Sequence, residues 1–261
     1  MLIDTHSHIQ LDDYQTNRDE VLSRAREAGV SMMAVGVDVP SSVAAIELAK
    51  QHNDVFATVG LHPHDAAGEK GEIATEDLAT IIKLAEDPTA LAIGECGLDY
   101  HYNNSPKDIQ IDIFKQQIEL ALRLDKPMVW HVRDAFADFF NVIDQYPGVR
   151  GIVHCFTGTQ SEMQQAVERG FYIAYNGIMT FTKDSAQLET VKATPLNHIV
   201  LETDCPWLAP KSHRGRPNEP AYIVEIAQFL ADLRGEDYDD FCDATTANAK
   251  TILGITTWVF I

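Results

Sequence analysis

Ten histidines are spread along the 261-residue chain, and six of them sit in short motifs at the ends of apolar runs. These motifs are His6-Ser7-His8, His62-Pro63-His64, His131-Val132-Arg133 and His154-Cys155-Phe156. Two further runs end in acids, at Gly94-Glu95-Cys96-Gly97 and Glu202-Thr203-Asp204-Cys205. Imidazole and carboxylate together suit Zn, Mn or Fe, and Mg when water completes its shell. A lone buried histidine is usually a hydrogen-bonded core residue. Six imidazoles and two carboxylates in one place are different, because burying them without a cation is costly. The chemistry this points to is activation of water by bound divalent ions.

Such motifs need elements that bring them together. Short β-branched runs recur at 2–8, 31–37, 55–62, 90–98, 127–133, 151–156, 171–176 and 199–204. Segments with helical periodicity lie between them, at 17–29, 41–52, 75–86, 105–124, 135–146, 160–169 and 185–193. Two more, 219–233 and 238–253, close the chain. Pro40-Ser41 opens one helix, and Thr75 with Glu76 and Asp77 caps another. Ser105 reads as an N-cap with Pro106 in the first turn, followed by an apolar face of Phe114, Ile118, Ala121 and Leu122. Strict alternation implies an α/β fold of parallel strands joined by right-handed crossovers. Eight units in this length predict a (β/α)8 TIM barrel, one domain over residues 1–261. An open doubly wound sheet is the alternative, but no Gly-rich dinucleotide turn follows the first run. The apolar tail at 258–261 is expected to pack over the barrel floor, and the irregular stretch 206–217 to carry function.

Composition narrows the classes. Apolar residues make up 45% of the chain, enough to drive a packed core rather than disorder. No run approaches the roughly 18 apolar residues of a membrane span, and Met1 leads straight into Leu2-Ile3-Asp4 without a basic or apolar leader. With 20 Lys and Arg against 39 Asp and Glu, the net charge of −19 argues against broad wrapping of nucleic acid. It leaves room for a small anionic site neutralised by metal. Cys96, Cys155, Cys205 and Cys242 match no zinc spacing or disulfide scaffold, so a cytoplasmic protein with reduced thiols is expected.

In a TIM barrel the active site lies at the carboxyl ends of the strands, where all these motifs fall. The first and eighth strands are then neighbours, and His6, His8 and Asp204 could hold one ion. His131 and His154, on the fifth and sixth, could hold a second, with Glu95 bridging; such ions stand about 3.5–4 Å apart. Asp204 is also placed to orient a water or take its proton. Strand alternation turns Cys96, Cys155 and Cys205 away, toward the helices, and puts Glu202 below Asp204 and Asp4 below His6 as partners that fix the ligands. His62 and His64 read either as contacts to a substrate phosphate or leaving oxygen, or as structural hydrogen-bonding groups. Arg133 reads either as a phosphate clamp or as an ion-pair partner of Asp134 or Asp99. Lys211, His213, Arg214 and Arg216 could steer an anionic strand or simply face solvent. Trp207 and Tyr100 could stack on a base, and Trp207 could equally pack in the core.

These motifs, taken as Gly60-Leu61-His62-Pro63-His64, Gly94-Glu95-Cys96-Gly97-Leu98-Asp99-Tyr100, His131-Val132-Arg133-Asp134-Ala135, His154-Cys155-Phe156-Thr157-Gly158 and Glu202-Thr203-Asp204-Cys205-Pro206 together with the first His-x-His, resemble the TatD family of metal-dependent hydrolases. The resemblance runs out to Asn248-Ala249. It implies a barrel of the metallo-dependent-hydrolase type with a binuclear centre and Mg- or Mn-dependent activity; with the donor set, two divalent ions, Mg, Mn or Zn, are expected. It implies that His6, His8, Glu95 and Asp204 hold one ion and Glu95, His131 and His154 the other. It also implies DNase activity, including 3′→5′ exonuclease action on DNA that is expected to be single-stranded. A small-molecule amidohydrolase on the same site and a non-catalytic metal-binding scaffold are the competing readings.

Overall fold

Each β-branched run forms a strand of one closed parallel barrel, in the order in which the strands occur in the chain. The computed structural model describes residues 1–68 and 71–256. The strands are β1 (Leu2–Ser7), β2 (Val30–Val35), β3 (Val55–Val59), β4 (Ala90–Asp99), β5 (Met128–Arg133), β6 (Gly151–Val153), β7 (Tyr172–Tyr175) and β8 (Ile199–Leu201). The helices are α1 (Arg18–Glu27), α2 (Val39–Gln51), α3 (Thr75–Leu84), α4 (Lys107–Leu124), α5 (Phe136–Ile143), α6 (Gln160–Glu168), α7 (Ser185–Ala193), α8 (Ile223–Arg234) and α9 (Tyr238–Leu253). β1 pairs with β8 at Asp4 and Leu201, which closes the cylinder. No described helix is long and apolar enough to cross a membrane.

The core has two layers. One apolar cluster lies between the strands and the helical ring, with Trp130, Phe114 and Phe139 among its members. The other fills the barrel with Ile3, Met33, Val35, Ala92, Val129, Ile152, Ala174 and Val200. Ala249, Ile252, Leu253 and Ile255, at the end of α9, join this inner cluster and close the floor. The tail expected over the floor, 258–261, lies outside the described residues.

Helix starts differ from the sequence reading in three places. Asp38, not Pro40-Ser41, caps α2, because its carboxylate accepts from the Ser41 N–H while Ser41 Oγ accepts from the Asp38 N–H. Thr75 is already inside α3, and Ala74 precedes it without a side-chain cap. Ser105 does not cap α4; its hydroxyl donates to the His64 carbonyl (2.8 Å) and accepts from the Ala67 N–H (2.9 Å), which braces the turn after β3.

Two local slips aim the site. Ile3 and Ala92 face the barrel interior, and so do His6 and Glu95, each three residues further on. Strict alternation would turn the second of each pair outward. The β1–β2 register shifts between Asp4 and Ser7, and the β4–β5 register between Ile93 and Cys96. The extra residue in each strand restores the inward direction. Gly94 (φ +146°) and Gly97 (φ +141°) let β4 lie close on β5 there. A Cβ at Gly97 would stand 2.1 Å from the His131 carbonyl oxygen. Replacing Ile252 by Ala should open the floor and destabilise the protein by about 2–5 kcal/mol. Urea denaturation checks this, and an unchanged midpoint would contradict the floor's role.

Candidate metal centre

Glu95 stands at the middle of the barrel mouth and divides it in two. Its Oε2 faces His6 Nε2 at 3.2 Å and His8 Nε2 at 3.8 Å. Its Oε1 faces His131 Nδ1 at 2.9 Å, His154 Nε2 at 3.3 Å and His62 Nε2 at 3.4 Å. Asp204 joins the first group, with Oδ1 3.5 Å from His8 and 3.8 Å from His6. A cavity of about 680 Å³ opens over this cluster.

Each ring is aimed by what lies behind it. The Val35 carbonyl can only accept, so His8 Nδ1 carries a proton (2.9 Å) and Nε2 points into the mouth. Glu202 holds His154 Nδ1 at 3.3 Å and also accepts from the Cys155 N–H and the Asn176 amide. Asp99 holds His131 Nε2 at 3.0 Å and His64 Nε2 at 3.1 Å. The His62 ring accepts the His64 N–H at Nδ1, so its Nε2–H faces Glu95. His6 stacks on His154 with centroids 3.7 Å apart, and its buried Nδ1 has no partner among the described residues.

The charge balance fits a cation. Glu95, Asp204, Asp99 and Glu202 have no Lys or Arg partner among the described residues; imidazoles alone surround them. Burial pushes the Glu95 carboxyl up, but His154, His62, His6 and His131 outweigh it and hold it well below the usual range. Asp204 is likewise held low against burial by His8, His154 and His6. His154, although buried, is raised well above an ordinary imidazole by Glu202 and Glu95. Buried carboxylates that keep their charge need positive charge beside them. His6 Nε2 and His8 Nε2, 3.2 Å apart and turned to the same two carboxylates, form the natural receptor for it. The groups whose donor atoms converge are His6, His8 and Glu95; His62, Glu95 and His131; His6, His154 and Glu202; and His154, Cys155 and Asp204, so His62 rather than His154 accompanies Glu95 and His131.

A family model for TatD-related DNases matches residues 3–254. The chain belongs to the TatD family. It is 37% identical over 258 residues to the uncharacterized metal-dependent hydrolase YabD of Bacillus subtilis, covering 98% of this chain and all of that one. It is 36% identical over 263 residues to the 3′-5′ ssDNA/RNA exonuclease TatD of Erwinia amylovora, covering 97% and 100%. Its fold superposes on the crystal structure of the TatD homologue YjjV from Escherichia coli with a TM-score of 0.89, at 25% identity over 98% of both chains.

Within this TatD mouth the six histidines, Glu95 and Asp204 stand together, and several neighbours depart from expectation. Asp4 binds the backbone N–H groups of His6 and Thr203 and the Thr203 hydroxyl rather than a ring, because the slip in β1 intervenes. Cys155 does not turn away; β6 ends at Val153, the chain enters a left-handed turn (φ +47°), and Cys155 lines the cavity. Cys96 and Cys205 are buried away from it. Arg133 pairs with neither Asp134 nor Asp99; its guanidinium lies over Tyr102 at 4.8 Å. Tyr100 is turned to Asp138 and Lys107, so Tyr102, not Tyr100, lines the mouth with Trp207. Trp207 is 51% exposed and therefore not in the core. Lys211 and His213 border a separate depression beside α8, and Arg214 packs on Phe181, away from the TatD mouth.

Asp99 and Tyr102 escaped the sequence reading as site residues. The fourth run reads as ending at Leu98, one residue short of Asp99, although Glu95, Gly97 and Asp99 form an i, i+2, i+4 row. Glu202→Gln removes the charge behind His154 and should weaken divalent-ion binding about 10- to 100-fold. Calorimetric titration with Mn measures this, and unchanged affinity would separate Glu202 from metal binding.

Proposed function

We propose that this TatD-type metal-dependent hydrolase cleaves phosphodiester bonds in single-stranded DNA, removing nucleotides from the 3′ end, with two divalent cations held around Glu95. The observation that carries this is the division of the imidazoles between the two oxygens of Glu95. His6, His8, Asp204 and Glu95 would hold one ion, and Glu95, His131 and His154 the other. When bound, such a pair makes water acidic near neutral pH and draws charge from a phosphoryl oxygen; Mg, Mn and Zn all suit the donors. The name of the Erwinia relative supports a nucleic-acid strand as substrate.

The remaining work falls to side chains. Asp204 turns Oδ1 to His6 and His8, while Oδ2 makes no hydrogen bond among the described residues and would take the proton of the attacking water. Burial lowers His62 to about 4, so it stays neutral, and its Nε2–H, which faces Glu95 Oε1 at 3.4 Å, would be shared with a phosphate or leaving oxygen. His64 is held by Asp99 and acts by setting that turn. Arg133, stacked on Tyr102 and without an ion pair among the described residues, would clamp a phosphate. Burial pushes the Cys155 thiol up to about 12, which leaves it protonated and a poor nucleophile. A cytoplasmic location accords with four free thiols.

Exhaustive chelation should abolish nucleotide release from 3′-labelled oligonucleotides, and added Mg or Mn should restore it; activity that survives chelation would overturn the mechanism. His154→Ala should lower metal content and kcat together, the latter by at least about 100-fold, more than losing a partner behind a ligand. Normal occupancy with a normal rate would remove it from the site. With one or two phosphates contacted, the log–log salt slope of binding should be about −0.7 to −1.4. A slope of zero with turnover of amides would favour an amidohydrolase instead.

A further inference from the structure

Only two Phe, Tyr or Trp side chains among the described residues are exposed, Tyr102 at 57% and Trp207 at 51%, and both line the mouth over Glu95. Tyr102 follows β4 and Trp207 follows β8, four strands apart in an eight-stranded ring, so they stand on opposite sides. Each is tied to its own half of the site. The Trp207 N–H donates to the Asp204 carbonyl (3.0 Å), its carbonyl accepts from Asn218 (2.7 Å), and its ring meets the edge of His8 at 5.2 Å. The Tyr102 N–H donates to Asp99 Oδ1 (2.8 Å), the carboxylate that also holds His131, and Arg133 lies over its ring.

Large aromatic surface left in water at a polar mouth, on backbone tied to the site by hydrogen bonds, is a stacking platform in search of a planar partner. We infer that Trp207 and the Tyr102–Arg133 stack are the two jaws that hold the unstacked bases on either side of the scissile phosphodiester, and so select a single strand over a duplex. A duplex keeps its bases stacked on each other and offers no free faces at the jaws. Arg133 adds a planar cation to its jaw, which serves base and phosphate alike. This inference rests on the phosphodiester reading above and names what that site recognises.

The test compares oligo(dT) with an abasic oligomer of the same length and phosphate count, using Mn-loaded wild type, Trp207→Ala, Tyr102→Ala and Trp207→Phe. Each alanine variant should raise KM on oligo(dT) about 5- to 100-fold with kcat within about threefold. Trp207→Phe should recover most of the loss. The loss from removing the ring should not add to the loss from removing the base. In chelator, oligo(dT) should quench tryptophan emission of the wild type and not of Trp207→Phe. A fall in kcat rather than a rise in KM, or equal losses on both oligomers, would make these side chains structural and overturn the inference. Wild type that hydrolyses both oligomers equally well overturns the stacking inference alone. Wild type that hydrolyses neither overturns the phosphodiester reading and the inference with it.

Discussion

The structure depends on one unfavourable arrangement: charged carboxylates buried at the mouth of a barrel with imidazoles as their neighbours. Glu95 is 4% exposed, and four rings lie within 3.4 Å of its two oxygens. Two carboxylates behind those rings, Asp99 and Glu202, have no Lys or Arg either among the described residues. In a low-dielectric pocket such a set needs positive charge beside it, from protonated imidazoles or from a cation. The mouth could therefore hold cations, in keeping with a family of metal-dependent hydrolases.

Everything around this arrangement serves direction. The inner apolar cluster and the end of α9 make the lower barrel solid, so the polar groups gather at one end. Backbone slips in β1 and β4 turn His6 and Glu95 inward where regular strands would hide them. Behind the rings, Val35, Glu202 and Asp99 decide which nitrogen faces the mouth. Ligand geometry held from behind in this way tunes both affinity and the basicity of the ligands. Above the rings, the same Asp99 and Asp204 tie down the aromatic rim through Tyr102 and Trp207.

Cys155 and Asp4 show where local pattern gave out. Counting residues along an ideal strand gives each a direction that the real backbone does not keep. A strand that stops at Val153 has no alternation to extend to residue 155, and a slip between Asp4 and Ser7 breaks the count above Asp4. Tyr100 and Tyr102 exchanged roles for a similar reason. The chain past Asp99 is a turn pinned by two N–H groups on that carboxylate, and a turn has no fixed face.

The sequence by itself determined the fold class and the types of group at the mouth. Eight β-branched runs separated by helical periods have one favourable closure, and residue identity at the run ends is local information. It also carried the family, because motifs of fixed spacing survive without coordinates. Only the tertiary structure decided which oxygen of Glu95 meets which ring, which partner stands behind each histidine, and which aromatic reaches the rim. Those facts join residues as far apart in sequence as His8 and Val35 or His8 and Trp207, and a one-residue slip in a single strand is enough to reverse them.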